Sequence, residues 1–171
     1  MTKSLPLQLR DLFFPIICVK AQPPSSEGKI ADHYDDSDIA VTFVFDVSQD
    51  GKSAHAVLNI DTKFSADAAV PLPYEVELQV VAGFEVVIPE HTDDRALWIR
   101  KNAAAAALIG AAREQIATTT ARGPWGTALM PMISIPGLIG AFPKAEAAPA
   151  PLIQAAPAKL AAKRKRISTP R

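Results

Sequence analysis

This sequence has few of the features that mark a membrane protein or a secreted protein. Its 171 residues include one cysteine, Cys18, so no disulfide can form within the chain and a reducing compartment is expected. The apolar run Ala103–Ala112 has ten residues, whereas an α-helix needs about 20 to span a bilayer. Met1–Leu9 lacks the long apolar core and cleavage site of a signal peptide. We therefore expect a soluble, cytoplasmic protein.

Catalytic signatures are also lacking. The sequence has no Gly-rich phosphate-binding loop, no G-x-S-x-G motif and no H-E-x-x-H motif. The best candidate for a metal site is His91–Asp94, but Asp93 and Asp94 are better explained as the start of a helix. We therefore expect no enzymatic activity, no bound metal and no cofactor.

The net charge of zero hides an uneven distribution of charge along the chain. Residues 1–143 carry 11 Lys/Arg and 17 Asp/Glu, whereas residues 144–171 carry seven Lys/Arg and one Glu. The chain is therefore an acidic body followed by a basic tail.

Alternating hydrophobicity predicts an antiparallel sheet. Apolar residues alternate with polar or small ones in Ile39–Val47, Ala54–Asp61 and Tyr74–Phe84. Between the first two runs, Asp50-Gly51 suits a tight two-residue hairpin. Leu7–Ala21 is a further β-prone segment, in which Pro15 favours an edge position. The sequence therefore predicts four strands.

A long helix is predicted over Arg95–Arg122, which contains strong helix formers and no proline. Thr92–Asp94 offers N-cap residues, and Gly123 is expected as the C′ glycine before Pro124. One stripe of the helix is mostly small and is expected to pack closely: Ala105, Ile109, Ala112, Ile116 and Thr119. The predicted fold class is α+β, a four-stranded antiparallel sheet followed by a long helix.

The helix is followed by an apolar stretch, Trp125–Ile139, that Pro131 and Pro136 interrupt. Methionine and aromatic side chains on irregular backbone form adaptable surfaces for partners. The alternative interpretation is that this stretch folds back over the core. From Ala141 onward the Ala/Pro/Lys/Arg composition predicts disorder, which gives a folded domain over 1–140 and a basic tail over 141–171.

The basic tail leaves several interpretations open. Its densest cluster is Lys163, Arg164, Lys165 and Arg166. Such a cluster can contact nucleic acid, a membrane surface or the acidic body, or can serve only to keep the protein soluble. No aromatic residue that could stack on bases is interleaved with it, so nucleic acid is the less favoured partner.

The order of elements and one helix motif resemble the SecB preprotein-export chaperones and the broader SecB-like group, which includes solitary chaperones of toxin–antitoxin systems. The matching residues are Ala112-Arg113-Glu114-Gln115-Ile116, then Arg122-Gly123 and the aromatic Trp125, with Leu129–Ile135 similar to the segment that follows in the family. The resemblance covers roughly Leu9–Pro136. It implies ATP-independent holding of unfolded polypeptide in apolar grooves. It also implies a homotetramer built as a dimer of dimers.

The resemblance also implies site residues. The expected client-binding groove is apolar and consists of Phe43, Phe45, Phe84, Trp98, Trp125, Leu129, Met130 and Met132. Glu75 and Glu77 could form the acidic sheet face that docks the SecA motor in the export chaperones. Lys20 and the basic tail depart from that pattern and favour a solitary chaperone with its own client, such as an antitoxin. The alternative is a regulatory or nucleic-acid-associated protein that acts through the tail.

Overall fold

One long helix lies across one face of an antiparallel sheet. The computed structural model describes residues 7–62, 70–87 and 93–143. Its elements are β1 (Leu7–Ala21), β2 (Ile39–Val47), β3 (Ser53–Thr62), β4 (Tyr74–Val86), α1 (Asp94–Thr120) and α2 (Ile135–Ile139). The strand order is β1-β4-β3-β2 with every pair antiparallel, which confirms the predicted α+β fold class.

The sequence pattern explains most of these boundaries. Asp93 caps α1, because its side chain accepts a hydrogen bond from the backbone N–H of Ala96 at 2.7 Å. β1 is an edge strand, and its pairing with β4 is irregular between Phe13 and Ile16, the stretch that contains Pro15. The predicted two-residue hairpin is wrong. β2 and β3 are joined by residues 48–52, in which Gly51 has a φ of 68°.

The core lies between α1 and the sheet face that it covers. Alternate residues of β3 and β4 are almost completely buried on that face, among them Leu58, Ile60, Leu78 and Val80. Four members of the predicted helix stripe are buried against it: Ala105, Ile109, Ala112 and Ile116. The fifth prediction is wrong, since Thr119 is exposed and Thr120, four residues after Ile116, is buried instead.

The opposite sheet face, called here the outer face, has ordered rows of side chains across the strands. One row is apolar and crosses all four strands in the order Phe13, Val81, Val57 and Val44. The next row is polar: Gln79 donates to Asn59 at 2.8 Å, and Asn59 donates to Thr42 at 3.0 Å. Neither of the helices in the described parts of the chain has the length and apolar character needed to cross a bilayer.

Candidate functional site

The C-terminal end of α1 is fastened to the sheet by Tyr74. Its hydroxyl donates to the carbonyl of Gly126 at 2.9 Å and accepts from the backbone N–H of Trp125 at 3.1 Å. A Cβ on Gly123 would lie 2.3 Å from the same hydroxyl oxygen. The C-cap of α1 is Ala121 and Gly123 is not among the glycines with positive φ, so the prediction of Gly123 as the C′ glycine is wrong. It is required because the tyrosine approaches so closely.

Tyr34 fastens a second segment to the same strand. We call residues 22–38, between β1 and β2, the acidic loop. The Tyr34 hydroxyl donates to the carbonyl of Tyr74 at 2.9 Å and accepts from its N–H at 3.2 Å. The indole N–H of Trp125 donates to the carbonyl of Gln22 at 2.9 Å. The acidic loop and the chain after α1 are therefore held against each other.

Burial of Tyr34 gives a testable pH dependence. Loss of hydration raises the pKa of Tyr34 from 10.0 to about 12. Because the pKa is higher in the folded state than in the unfolded state, the neutral phenol favours folding. This contribution to the free energy of unfolding is fully present below pH 10. That contribution is lost as the pH rises toward 12, because the unfolded state ionises first. We expect the free energy of unfolding to fall by about 2–3 kcal/mol over this range.

Chemical unfolding at pH 9 to 12 would measure this loss. Tyr34→Phe is the control, because it removes the titrating group and is expected to lose less stability over the same range. An identical pH profile for the two proteins would contradict the assignment.

The residues after α1 alternate between core and solvent. We call Trp125–Ser134 the apolar segment, since it contains no charged residue. Ala128 and Met130 are buried, and the backbone N–H of Ala128 donates to the Thr120 hydroxyl at 2.8 Å. Leu129 and Met132 point the other way, with 69% and 81% of their surface exposed. The segment thus both folds over the core and presents large apolar side chains to solvent.

Two cavities lie along the apolar segment, one on each side of Met130. The first, about 240 Å³, is bounded by the acidic loop, Tyr74, Trp125 and Leu129. The second, about 200 Å³, lies between the start of β2 and Met132. Met130 lines a small pocket together with Tyr34 and Ile39, which border the first and second cavities respectively. We call the two cavities, together with the exposed side chains of Leu129 and Met132 beside them, the groove.

Acidic side chains border this groove. Asp32 lines the first cavity and Asp36 lines the second. The acidic loop contains five acids and one lysine, Lys29, which forms an ion pair with Glu27 at 2.6 Å. The groove therefore combines apolar walls with a negatively charged rim.

Seven of the eight predicted groove residues divide into three groups by burial. Trp125, Leu129 and Met132 are exposed and line the cavities, Trp125 with 38% of its surface accessible. Phe43 and Phe45 are half-buried on the helix side of β2, packed against the core. Phe84 and Met130 are buried in the core, so they cannot present apolar surface to a client.

Trp98 lies away from the cavities and contacts the chain after α2. Its indole N–H donates to the carbonyl of Gly140 at 3.0 Å, and its ring meets the edge of Phe142 with 4.7 Å between centroids. Packing therefore continues past residue 140, where the sequence suggested the end of the domain. The predicted basic cluster Lys163–Arg166 and the candidate metal ligand His91 lie outside the described residues.

The predicted docking acids differ in their surroundings. Glu75 forms an ion pair with Lys20 at 3.6 Å and accepts a hydrogen bond from Gln22 at 3.3 Å. Glu77 is exposed on the outer face, opposite Asp61 of β3. In the described part of the chain, no three His, Cys, Asp or Glu side chains come together as metal ligands.

Sequence reasoning missed the tyrosine pair. Tyr34 and Tyr74 are the two tyrosines of the chain. The available signal was Tyr34, an aromatic residue in a loop rich in acids. If its ring is buried, its hydroxyl needs a hydrogen-bond partner elsewhere in the fold.

Comparisons with known proteins give similarity at the level of structure. No protein-family model matches the sequence, and no curated protein matches it. The structure is similar to a SecB-like chaperone of Mycobacterium tuberculosis, solved with a ChAD peptide from the HigA1 antitoxin. The two share 12% identity over 75% of this chain and 91% of that one, with a TM-score of 0.49. A protein of unknown function from Streptococcus agalactiae is also similar, with 10% identity, coverage of 77% and 100%, and a TM-score of 0.41.

Proposed function

We propose that this protein is an ATP-independent chaperone that holds unfolded polypeptides in the groove along the apolar segment. The observation that carries the proposal is the exposure of Leu129 and Met132 beside two cavities. Large apolar side chains that cluster on a surface mark sites where another molecule binds. The apolar walls of the groove suit the apolar side chains that an unfolded polypeptide exposes. The order of sheet and helix is also the one that the SecB resemblance implies.

The exposed apolar side chains of the groove, Trp125, Leu129 and Met132, are few enough that a client would bind reversibly. Covering a Leu, Met or Trp side chain contributes about 1.5–3 kcal/mol when burial is complete. Three such side chains give at most about 5–9 kcal/mol, and less here because the chain itself already covers most of Trp125. The cost of ordering the client must also be subtracted. Each groove would therefore bind one stretch of client weakly, and several grooves in an oligomer would bind a long chain more strongly.

We further propose the oligomer and partners that the resemblance implies. Apolar side chains of the edge strand β1 are exposed, including Leu9 and Ile17, and would be covered in a tetramer built as a dimer of dimers. The client would be an unfolded preprotein or an antitoxin. Docking of the SecA motor would depend on Glu77, since Lys20 already pairs with Glu75. The single cysteine suits a cytoplasmic location.

Replacing Trp125 tests whether the groove holds clients. Trp125→Ala should weaken the suppression of citrate synthase aggregation by about threefold to tenfold, because one wall of the first cavity is removed. Trp125→Phe is the matched control, since it keeps an aromatic wall and loses only the hydrogen bond to Gln22. Aggregation would be followed by light scattering after dilution from guanidinium.

Sizing of the same samples completes the test. Both variants should remain folded and keep the oligomeric state of the wild type. Unfolding of Trp125→Ala would show that Trp125 is chiefly a core residue. A wild-type monomer without holding activity would contradict the proposed function.

A further inference from the structure

The chain contains a segment whose chemistry matches the groove. Residues 151–171 carry six Lys/Arg and no acid, together with the apolar side chains Leu152, Ile153, Leu160 and Ile167. Apolar anchors among cations are complementary to apolar walls with an acidic rim. We propose that this tail segment binds in the groove of its own chain when no client is present, and so competes with clients. The inference rests on the proposed function.

Charge complementarity favours the tail as the occupant. The five acids of the acidic loop face one lysine within the loop, and Lys29 is already paired with Glu27. The apolar segment adds no charge of either sign. On the side of the groove next to α1, Arg113 Nη1 lies 3.6 Å from Met132 Sδ. The positive charge of Arg113 would repel a cation of the tail near Met132. The tail's cations are therefore expected beside Asp32 and Asp36, with Leu160 toward Leu129 or Met132.

The tail is also long enough to reach the groove. Pro143 follows α2, which packs against α1 and β2, and Ile39 and Val41 of β2 line the second cavity. Leu160 is 17 residues beyond Pro143. Phe142 packs on Trp98, near the start of α1, whereas Trp125 follows the end of α1, so the tail must run back along this helix. The helix rises by about 33 Å from Trp98 to Thr120. The extended length of the 17 residues is about 55 Å at most, which is enough to cover that distance.

Tethering makes even weak binding effective. A short flexible linker gives an effective concentration of about 1 mM. If the free tail segment binds with a Kd of about 0.1 mM, the tethered segment would occupy the groove about nine-tenths of the time. A client would then bind about tenfold more weakly than to an unoccupied groove.

The test compares the full chain with a full-length variant whose tail cannot bind. The variant carries Leu160→Ser, Lys163→Gln, Arg164→Gln, Lys165→Gln and Arg166→Gln. The probe is a fluorescein-labelled neutral peptide of Gly, Ser and Asn with two leucines and one phenylalanine. Its Kd should be about tenfold lower for the variant. An unlabelled peptide of residues 151–171 should displace it from the variant, less effectively in 0.5 M NaCl.

A pair of matched substitutions locates the binding site. In the tail variant, Asp32→Asn with Asp36→Asn should weaken displacement by the 151–171 peptide at least threefold. Asp46→Asn with Asp61→Asn makes the same change in charge on the outer face and should leave displacement unaltered.

The outcomes separate this inference from the proposed function. Equal probe affinity for wild type and variant, or no displacement by the 151–171 peptide, would overturn the inference and leave the chaperone proposal standing. Failure of the probe to bind either protein would overturn both.

Discussion

Replacing both Leu129 and Met132 by serine is expected to weaken client binding by about 30-fold. Each side chain, when half-covered by a client, contributes about 1 kcal/mol, and a loss of about 2 kcal/mol corresponds to that factor in Kd. Both side chains are mostly in solvent in the chain itself, so the free energy of unfolding should change by less than about 0.5 kcal/mol. Titration with the labelled neutral peptide measures the first quantity, and chemical unfolding measures the second.

The outer face supplies a matched control for this experiment. Phe13 and Val44 are 51% and 50% exposed, at opposite ends of the apolar row. Phe13→Ser with Val44→Ser removes comparable apolar surface from a site that does not line the groove. Client binding should be retained. A similar loss in the control would mean that clients bind general apolar surface, and the groove would lose its special role.

Gly123→Ala is expected to destabilise the protein by about 2–4 kcal/mol. The new methyl group would lie 2.3 Å from the Tyr74 hydroxyl oxygen and 2.9 Å from a ring carbon. Either the ring or the end of α1 must move, which adds the strain of overpacking to the loss of hydrogen bonds to Trp125 and Gly126. Thermal and chemical unfolding measure this loss.

Gly110→Ala is the comparison for this substitution. Gly110 lies within α1, and a Cβ there would meet nothing within 4 Å among the described residues outside the helix's own nearby backbone. Because alanine favours the helix, the change should add about 0.5–1 kcal/mol of stability. Opposite signs for the two substitutions are expected. Equal and small effects would show that Tyr74 yields easily and does not fasten the end of α1.

The sequence predicted those features that depend on residues close together in the chain. Alternation along β3 and β4 predicted the buried face of the sheet, and Asp93 was predicted as an N-cap candidate from its position before the helix formers. The same alternation placed Phe84 on the face of Leu78 and Val80, so its burial could have been foreseen. The error at Thr119 was one of phase, because small residues on several sides of α1 leave its buried stripe poorly defined.

The groove could not be predicted in the same way. Its first cavity lies between the acidic loop and the apolar segment, which are joined by a hydrogen bond from Trp125 to Gln22, 103 residues apart in the chain. A second hydrogen bond, from Tyr34 to Tyr74, attaches the acidic loop to β4. No local pattern encodes such distant pairings. The same distant contacts decide that Met130 faces the core and Leu129 faces solvent. The backbone here is irregular and interrupted by proline, so the sequence has no periodic pattern that would indicate which side chain is buried. The resemblance to the SecB-like group pointed to the apolar segment. The contacts in the structure then showed which of its side chains are exposed and which are buried in the core.

The double attachment to Tyr74 has a consequence for what the groove can admit. The backbone of Tyr74 is hydrogen-bonded to Tyr34 and its hydroxyl to Trp125, so two residues that line the first cavity are attached to the same tyrosine. Widening the cavity by separating them would cost these hydrogen bonds. In the proposed chaperone, a single extended segment of a client could enter the first cavity. A folded domain, whose apolar side chains are packed inside, could not. In this proposal a client would leave the groove once its own apolar side chains are packed inside it.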